Sequence, residues 1–308
     1  MMIIHSSNIK KRKRDITIWH YTSPEVLWKM LSGEFYATHY RFMNDSAEIV
    51  YGIQEIDTFL KKHEQTLQYL QFVIKDLQKR DFFLLCFSKH KDDLYHWRSY
   101  TPHGGYSIGL SYNRMCDLFN NLEYDSKKGE ITHCDLVQCR YLSPDGITNF
   151  MCKTTADFNC AIEKLSPDEK LLFEQSVAQT KSGHFSEALK LLYDKSPKLI
   201  ASLKDIFSLA FRIQAQCPGL KHPSFKLENE YRLIITGDSG DDLRTRIEFV
   251  GNKPRIKIPS PLLPKCIKGI YVSPHGDVEQ NYLLAEIAKK RFGLNFNIHQ
   301  SKSTFNGK

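Results

Sequence analysis

The sequence predicts an α+β fold. Segments rich in β-branched and aromatic residues occur in both halves of the chain, whereas residues 49–80 and 153–217 repeat apolar side chains at helical spacing. The 308 residues are 41% hydrophobic and 25% charged, which is ordinary for a soluble globular protein of one large or two small domains. Without a run of about 18 apolar residues or a secretory signal after residues 1–15, we expect no membrane partner and a cytoplasmic location.

The first predicted strand covers residues 16–22 and leads directly into a short helix. Ser23 is a natural N-cap, and Pro24 suits the first helical position. Gly33 ends the helix, and residues 35–38 predict a second strand. The unit is therefore a strand, a turn, a helix and a strand.

The next predicted strand is the continuous apolar run at residues 82–87, which is typical of a strand buried on both faces. Leu94, Trp97 and Tyr100 then recur at helical spacing, as expected of a helix with a core-facing side. Residues 106–112 predict a strand with bulky residues on one face and Ser-Gly-Ser on the other. The small face would allow a close approach to the backbone.

Two carboxylates, Glu228 and Glu230, precede the apolar run at residues 233–235. On a strand, residues two apart lie about 7 Å apart and point the same way. An isolated pair of this kind is more often a solvated face than a site. Further predicted elements are a strand at 267–272, a helix at 278–292 and a last strand at 296–299.

The predicted organisation has four parts. Residues 1–15 form an arm with the basic run Lys10, Lys11, Arg12, Lys13 and Arg14, and residues 16–152 and 221–308 form one α+β domain. A helical insertion at 153–220 interrupts that domain. With a net charge of +8, the arm is either a solvated segment or a nucleic-acid-binding element attracted to phosphates.

The eight cysteines show no paired Cys-x-x-Cys spacing. Cys134, Cys139 and the neighbouring His133 are only a weak metal signal, so we expect reduced and mostly buried thiols and no metal. No glycine-rich phosphate-binding loop of common spacing is present, which argues against a Rossmann or P-loop mechanism.

Three short motifs, in chain order, resemble the His-Tyr-Glu core of the ADP-ribosyltransferases, most closely the branch of diphtheria toxin and the poly-ADP-ribose polymerases. They are Trp19-His20-Tyr21-Thr22-Ser23 before a helix, Phe87-Ser88 followed by a helix with Tyr100, and Asn229-Glu230-Tyr231. The resemblance implies a split, mixed β core with flanking helices, which would bind NAD as substrate between the His20 strand and the Glu230 strand.

The resemblance also implies a role for each matched residue. Glu230 would accept a hydrogen bond from the 2′-hydroxyl of the nicotinamide ribose and stabilise the positive charge that develops when the nicotinamide bond breaks. His20 would bond the adenosine ribose, and Glu228 would orient or deprotonate the acceptor. Tyr100 is the first choice for the ring that stacks on nicotinamide, with Trp97 or Tyr106 as substitutes.

Tyr21, Thr22 and Ser88 complete the expected NAD-binding set. Tyr21 stands where the polymerase branch has a glycine whose backbone holds the nicotinamide amide, and a backbone contact survives that change. Most of residues 16–300 also resembles a widespread bacterial domain family of unknown function. Its pattern includes an Asn-Asp-x-x-Glu motif at residues 44–48, which would either cap a helix or enter the ligand cleft.

The resulting expectation is a mono-ADP-ribosyltransferase that acts as an intracellular bacterial toxin or anti-phage effector. RNA or DNA is favoured over protein as acceptor, and an antitoxin is a possible partner. The alternatives are an NAD glycohydrolase and a non-catalytic nucleotide- or nucleic-acid-binding module. In that module Glu230 would be structural, paired with Arg232 or a neighbour.

Overall fold

A computed structural model describes residues 11–43, 47–63, 81–120, 132–178, 216–237, 245–259 and 263–303, together with Ile213 and Leu243. Its helices are α1 (Pro24–Leu31), α2 (Ala47–Lys62), α3 (Leu94–Tyr100), α4 (Tyr112–Asn120), α5 (Pro144–Glu163), α6 (Pro167–Ala178) and α7 (Val278–Arg291). Four 3-10 helices cover Tyr40–Phe42, Cys217–Gly219, Pro223–Glu228 and Leu263–Cys266. Within these described residues, no helix is long and apolar enough to cross a membrane.

The strands are β1 (Thr17–Thr22), β2 (Glu34–His39), β3 (Phe82–Ser88), β4 (Tyr106–Ser111), β5 (Thr132–Gln138), β6 (Arg140–Tyr141), β7 (Leu220–Lys221), β8 (Glu230–Gly237), β9 (Ile247–Val250), β10 (Lys253–Pro259), β11 (Ile267–Val272) and β12 (Asn297–Gln300). Ten of them form one sheet that is antiparallel except for the β11–β12 pair. β6 and β7 form a separate parallel pair. The predicted α+β class is confirmed.

The large sheet forks along one edge of β3. β1 pairs with β3 near its end, where Trp19 faces Ser88, whereas β2 pairs near its start, at Phe83 and Leu84. Along the other edge, β8 pairs with β3 over its whole length. The strands β12-β11-β4-β1 therefore leave β3 on one branch and β2-β10-β9 on another.

β3 is buried on both faces, as the sequence predicts. Phe83, Leu85 and Phe87 pack into one hydrophobic cluster with β1, β4, α1 and α4. Phe82 and Leu84 point the other way, into a second cluster with α2 and α5. Because side chains alternate along a strand, one apolar run can separate two cores.

The predicted α1 unit is also confirmed. Ser23 caps the helix by accepting a hydrogen bond from the backbone of Val26, and Pro24 occupies the first turn, where its missing N–H costs nothing. Gly33 follows the helix with a φ of 92°, a conformation that glycine adopts without strain.

The small face of β4 allows the close approach to the backbone that the sequence predicts. Gly109 lies opposite Trp19 on β1, and a Cβ at this glycine would come within 2.6 Å of the indole ring. The protein's own Trp19, rather than a ligand, therefore makes the close approach.

Two predicted boundaries need correction. α5 begins at Pro144, so the boundary at residue 153 falls inside a helix; Ser143 supplies the N-cap by accepting from the backbone of Gly146. At the other end of the insertion, β7 already pairs with β6, so the chain has rejoined the domain by Leu220. Several predictions lie outside the described residues, namely those on Lys10, Asn44, Asp45, the side chain of Glu48, residues 64–80 and most of 179–215.

The predicted N-terminal arm is attached to the domain over part of its length. Arg12 donates hydrogen bonds to Gln138 Oε1 at 2.8 Å and to Tyr231 Oη at 2.9 Å, and its backbone exchanges two hydrogen bonds with the side chain of Asn113. Lys11 forms an exposed ion pair with Asp117. The boundary at residue 15 is therefore not a structural boundary.

Candidate active site

A cavity of about 410 Å³ opens at the fork of the sheet. Residues of β1, β2, β3, β8, β10 and α3 line it, together with the segment that precedes β8. His20, Tyr100 and Glu230, the three residues of the expected core, are all among the lining residues. They come from distant parts of the chain, and the fold brings them to one cavity.

Glu230 is the first residue of β8 and is almost completely buried. Its Oε1 accepts from Arg232 Nε at 2.7 Å, and its Oε2 accepts from Arg232 Nη2 at 3.2 Å and from Lys221 Nζ. Burial alone would raise the pKa of Glu230, but the charges of Arg232 and Lys221 lower it to about 2. The carboxylate is therefore ionised at neutral pH.

Glu228 is not on the strand, and the prediction that both carboxylates share one strand face is wrong. It ends the 3-10 helix Pro223–Glu228, and Asn229 then adopts a left-handed conformation with φ 44° and ψ 51° before β8 begins. Asparagine tolerates this conformation better than most residues. The two carboxylates meet nonetheless, because Lys221 Nζ donates to Glu228 Oε2 as well as to Glu230 Oε2.

His20 lies in the cavity with a defined tautomer. Its Nδ1 is 2.9 Å from the carbonyl oxygen of Cys86, which can only accept, so Nδ1 carries the proton. Burial, followed by the positive charge of Arg255, lowers the pKa of His20 despite the bond to Cys86. The ring is therefore neutral, and Nε2 is an acceptor suited to a sugar hydroxyl.

Among the candidate aromatic rings, the structure favours Tyr100. It lines the cavity and is 42% exposed, so its ring is accessible. Trp97 is fully buried and donates its Nε1 proton to Asp92 at 2.8 Å. Tyr106 is equally buried and donates to the carbonyl oxygen of Asn281 at 2.7 Å. Neither substitute lines the cavity, so neither ring is placed to stack on a ligand there.

Tyr21 and Ser88 line the cavity and also hold its wall in place. Tyr21 Oη donates to the carbonyl oxygen of His90 and accepts from the backbone of Asp93, at 3.0 and 3.1 Å. Ser88 Oγ donates to the carbonyl oxygen of Glu228 at 2.8 Å. These bonds fix the loop between β3 and α3. Thr22, by contrast, is buried and does not line the cavity.

Several lining residues were not predicted as cavity residues from the sequence. Arg232 was expected only as a structural partner of Glu230, and the structure contains that ion pair. Its position two residues after Glu230 on the same strand face was also a signal for the cavity. Tyr95, whose Oη is 3.4 Å from Glu228 Oε1, also had one, since it lies on the same short helix as Tyr100. Lys221 had none, because its two-residue strand is fixed only by pairing with β6.

The part of the chain that the structure describes contains no candidate metal site. No group of three or more His, Cys, Asp or Glu side chains is placed there to hold an ion. None of the eight cysteines, all of which lie in the described residues, forms a disulfide, and Cys134 and Cys139 are buried.

Comparison with known families finds a domain of unknown function in this chain. Residues 96–233 match a family described as "Protein of unknown function (DUF2971)". The matched segment begins inside α3 and contains Tyr100, Lys221, Glu228 and Glu230, and it ends before the cationic strand β10. No curated protein and no solved structure matches the chain.

Proposed function

We propose that the cavity binds NAD and that the protein is an NAD-dependent mono-ADP-ribosyltransferase. The observation that carries the proposal is the meeting of His20, Tyr100 and Glu230 in one cavity at the fork of the sheet. These residues lie 80 and 130 positions apart in the chain. If these three side chains lay on separate faces of the protein, they would not support an enzyme of this kind.

Each residue supports one requirement of the reaction. Cleavage of the bond between nicotinamide and ribose develops positive charge on the sugar, which the ionised carboxylate of Glu230 stabilises. The accessible ring of Tyr100 stacks on nicotinamide. The neutral His20 accepts a hydrogen bond from the adenosine ribose through Nε2. Nicotinamide leaves, and the acceptor nucleophile attacks the ribose carbon.

The two cations beside Glu230 fit this role. Arg232 holds the carboxylate through both oxygens, which fixes its orientation, and Lys221 links it to Glu228. Glu228 also lies 3.4 Å from the Oη of the exposed Tyr95. In this proposal Glu228 orients the acceptor, and the exposed ring of Tyr95 stacks on a nucleic-acid base.

RNA is therefore the acceptor we favour, followed by DNA and then protein. The cellular role we propose is that of an intracellular bacterial toxin or anti-phage effector, which an antitoxin would restrain. NAD glycohydrolysis is the same chemistry with water as acceptor, and it differs only in the product.

A second candidate is a nucleotide-binding module without catalysis. The ion pairs of Glu230 with Arg232 and Lys221 favour it, because a buried carboxylate so paired can serve the fold alone. Both candidates bind NAD, but only the enzyme releases nicotinamide.

Chromatographic measurement of nicotinamide release, combined with calorimetric titration of NAD, separates the two candidates. The enzyme releases nicotinamide, and His20→Gln weakens NAD binding while His299→Gln, on the exposed β12, does not. Binding without release supports the module. Absence of binding rejects both.

A further inference from the structure

Strand β10 presents a row of cations to one side of the sheet. Lys253, Arg255 and Lys257 alternate with Ile256 and Ile258, which pack into the main core. Lys253 and Arg255 line the cavity, and Lys257 instead pairs with Glu34 outside it. The row therefore enters the cavity at its first two positions only.

Arg255 has an unused donor in this position. Its Nε is buried and has no hydrogen-bond partner. A buried donor without a partner is rare in folded proteins, because burial removes the hydrogen bond that water would make. Arginine presents its N–H groups in a planar fork that matches the oxygens of phosphate.

The neighbours of Arg255 indicate which part of a nucleotide would reach it. Arg255 faces Thr38 of β2 across the β10–β2 ladder, and its charge is close enough to His20 to lower the pKa of that ring. Both side chains line the cavity. The side chains lining the cavity include four Lys and Arg cations and two carboxylates, so the lining favours an anion.

We propose that Arg255 binds the diphosphate group of the nucleotide, next to the ribose that His20 holds. The inference rests on the proposed function, in which that nucleotide is NAD. In a dinucleotide the diphosphate is attached directly to the adenosine ribose, so a group beside His20 is in reach of it. Lys253, two residues earlier on the same strand face, adds positive charge to the same side.

Calorimetric titrations with ADP and with adenosine test the subsite. Arg255→Gln weakens ADP binding by about ten- to a hundred-fold, as expected for lost hydrogen bonds to a charged group, and leaves adenosine binding within about twofold. Arg255→Lys retains the charge without the fork and gives an intermediate loss. Lys257→Gln is the matched control on the same strand face, and it changes neither affinity. Melting temperatures of all variants confirm that they fold.

The subsite is rejected if the wild-type protein binds ADP no more tightly than adenosine, or if Arg255→Gln and Arg255→Lys leave ADP binding unchanged. An equal loss for ADP and adenosine also rejects it, because the residue would then act on the cavity as a whole. ADP binding that depends on Arg255, without nicotinamide release from NAD, keeps the subsite and rejects the proposed transferase. Nicotinamide release that persists in Arg255→Gln with unchanged KM keeps the transferase and rejects the subsite.

Discussion

Replacing Glu230 by glutamine tests both the electrostatics of the cavity and its chemistry. The change keeps the shape of the side chain and removes its negative charge. That charge neutralises Arg232 and also interacts with Lys221, which donates to Glu228 as well. The pKa of Glu230 falls from its ordinary value of 4.5 to about 2. Since a difference of one in pKa corresponds to about 1.4 kcal/mol, ionised Glu230 contributes about 3 kcal/mol to folding. Breaking a buried ion pair on one side costs about 3–5 kcal/mol, which agrees.

Differential scanning calorimetry measures this cost. The unfolding entropy of a chain of this length makes 3 kcal/mol equivalent to a decrease of about 5 °C in Tm. Glu34→Gln is the matched control, because Glu34 pairs with Lys257 in a partly exposed position and such pairs contribute less than about 1 kcal/mol. If the two variants melt within about 1 °C of each other, the described ion pairs of Glu230 do not hold in solution.

The pH dependence of stability gives an independent check on Glu230. Its pKa is lower in the folded protein than in the unfolded chain, so its stabilising contribution is complete above about pH 4.5 and is lost as the pH falls toward 2. Wild-type protein should therefore lose more stability than Glu230→Gln across that interval in urea titrations. Parallel curves for the two proteins would contradict the low pKa.

Three further predictions concern binding and acceptor choice. Glu228→Gln should reduce modification of the acceptor by about a hundred-fold while slow NAD hydrolysis continues; a parallel fall of both activities would place Glu228 in NAD binding or in the fold. Tyr100→Leu should raise the KM for NAD about tenfold and Tyr100→Phe should leave it unchanged, and equal values for both variants would remove Tyr100 from the stacking role. The double replacement of Lys13 and Arg14 by glutamine should weaken RNA binding while NAD hydrolysis stays intact. The slope of log affinity against log salt concentration should decrease by the equivalent of about two phosphate contacts. An affinity equal to that of the wild type at about 50 and 200 mM salt would show that the arm is solvated sequence.

Replacing Lys13 and Arg14 tests the arm more specifically than deletion of residues 1–14 would. Deletion would also remove Arg12, which bonds Tyr231 and lies over the rings of Tyr112 and Tyr231. Tyr231 points away from the cavity, on the opposite face of β8 from Glu230. A deleted arm could thus disturb β8 without any role in nucleic-acid binding.

The elements that the sequence predicts well are those whose local signals agree with their surroundings. The N-cap and proline of α1, the apolar run of β3 and the strand at Ile267–Val272 all carry strong local patterns. β10 carries an alternating pattern as well, but Pro254 at its start argues against a strand. The structure accommodates this proline next to the end of the sheet, opposite Phe249 of β9.

The candidate site is predictable only in part, because its chemistry depends on contacts that have no sequence period. His20, Tyr100 and Glu230 were identified from motifs, whereas Lys221 and Arg255 enter the cavity through strand pairings that the sequence does not encode locally. The predicted position of Glu228 on the strand was wrong for a related reason. Glu228 ends a 3-10 helix and the left-handed Asn229 separates it from β8, so the extended conformation that the spacing rule assumes is absent there.

The most direct test of the central claim is a transfer assay with NAD that carries a radioactive adenylate phosphate. Purified wild-type protein is incubated with total RNA, with DNA and with a protein extract, and the label bound to each macromolecule is counted. We predict that label enters RNA, that nicotinamide is released in equal amount or in excess, and that Glu230→Gln lowers incorporation by about a hundred- to a thousand-fold. Glu34→Gln should match the wild type. Absence of nicotinamide release by the wild-type protein, or release that is the same in folded Glu230→Gln, would contradict the assignment of this cavity as an NAD-cleaving active site.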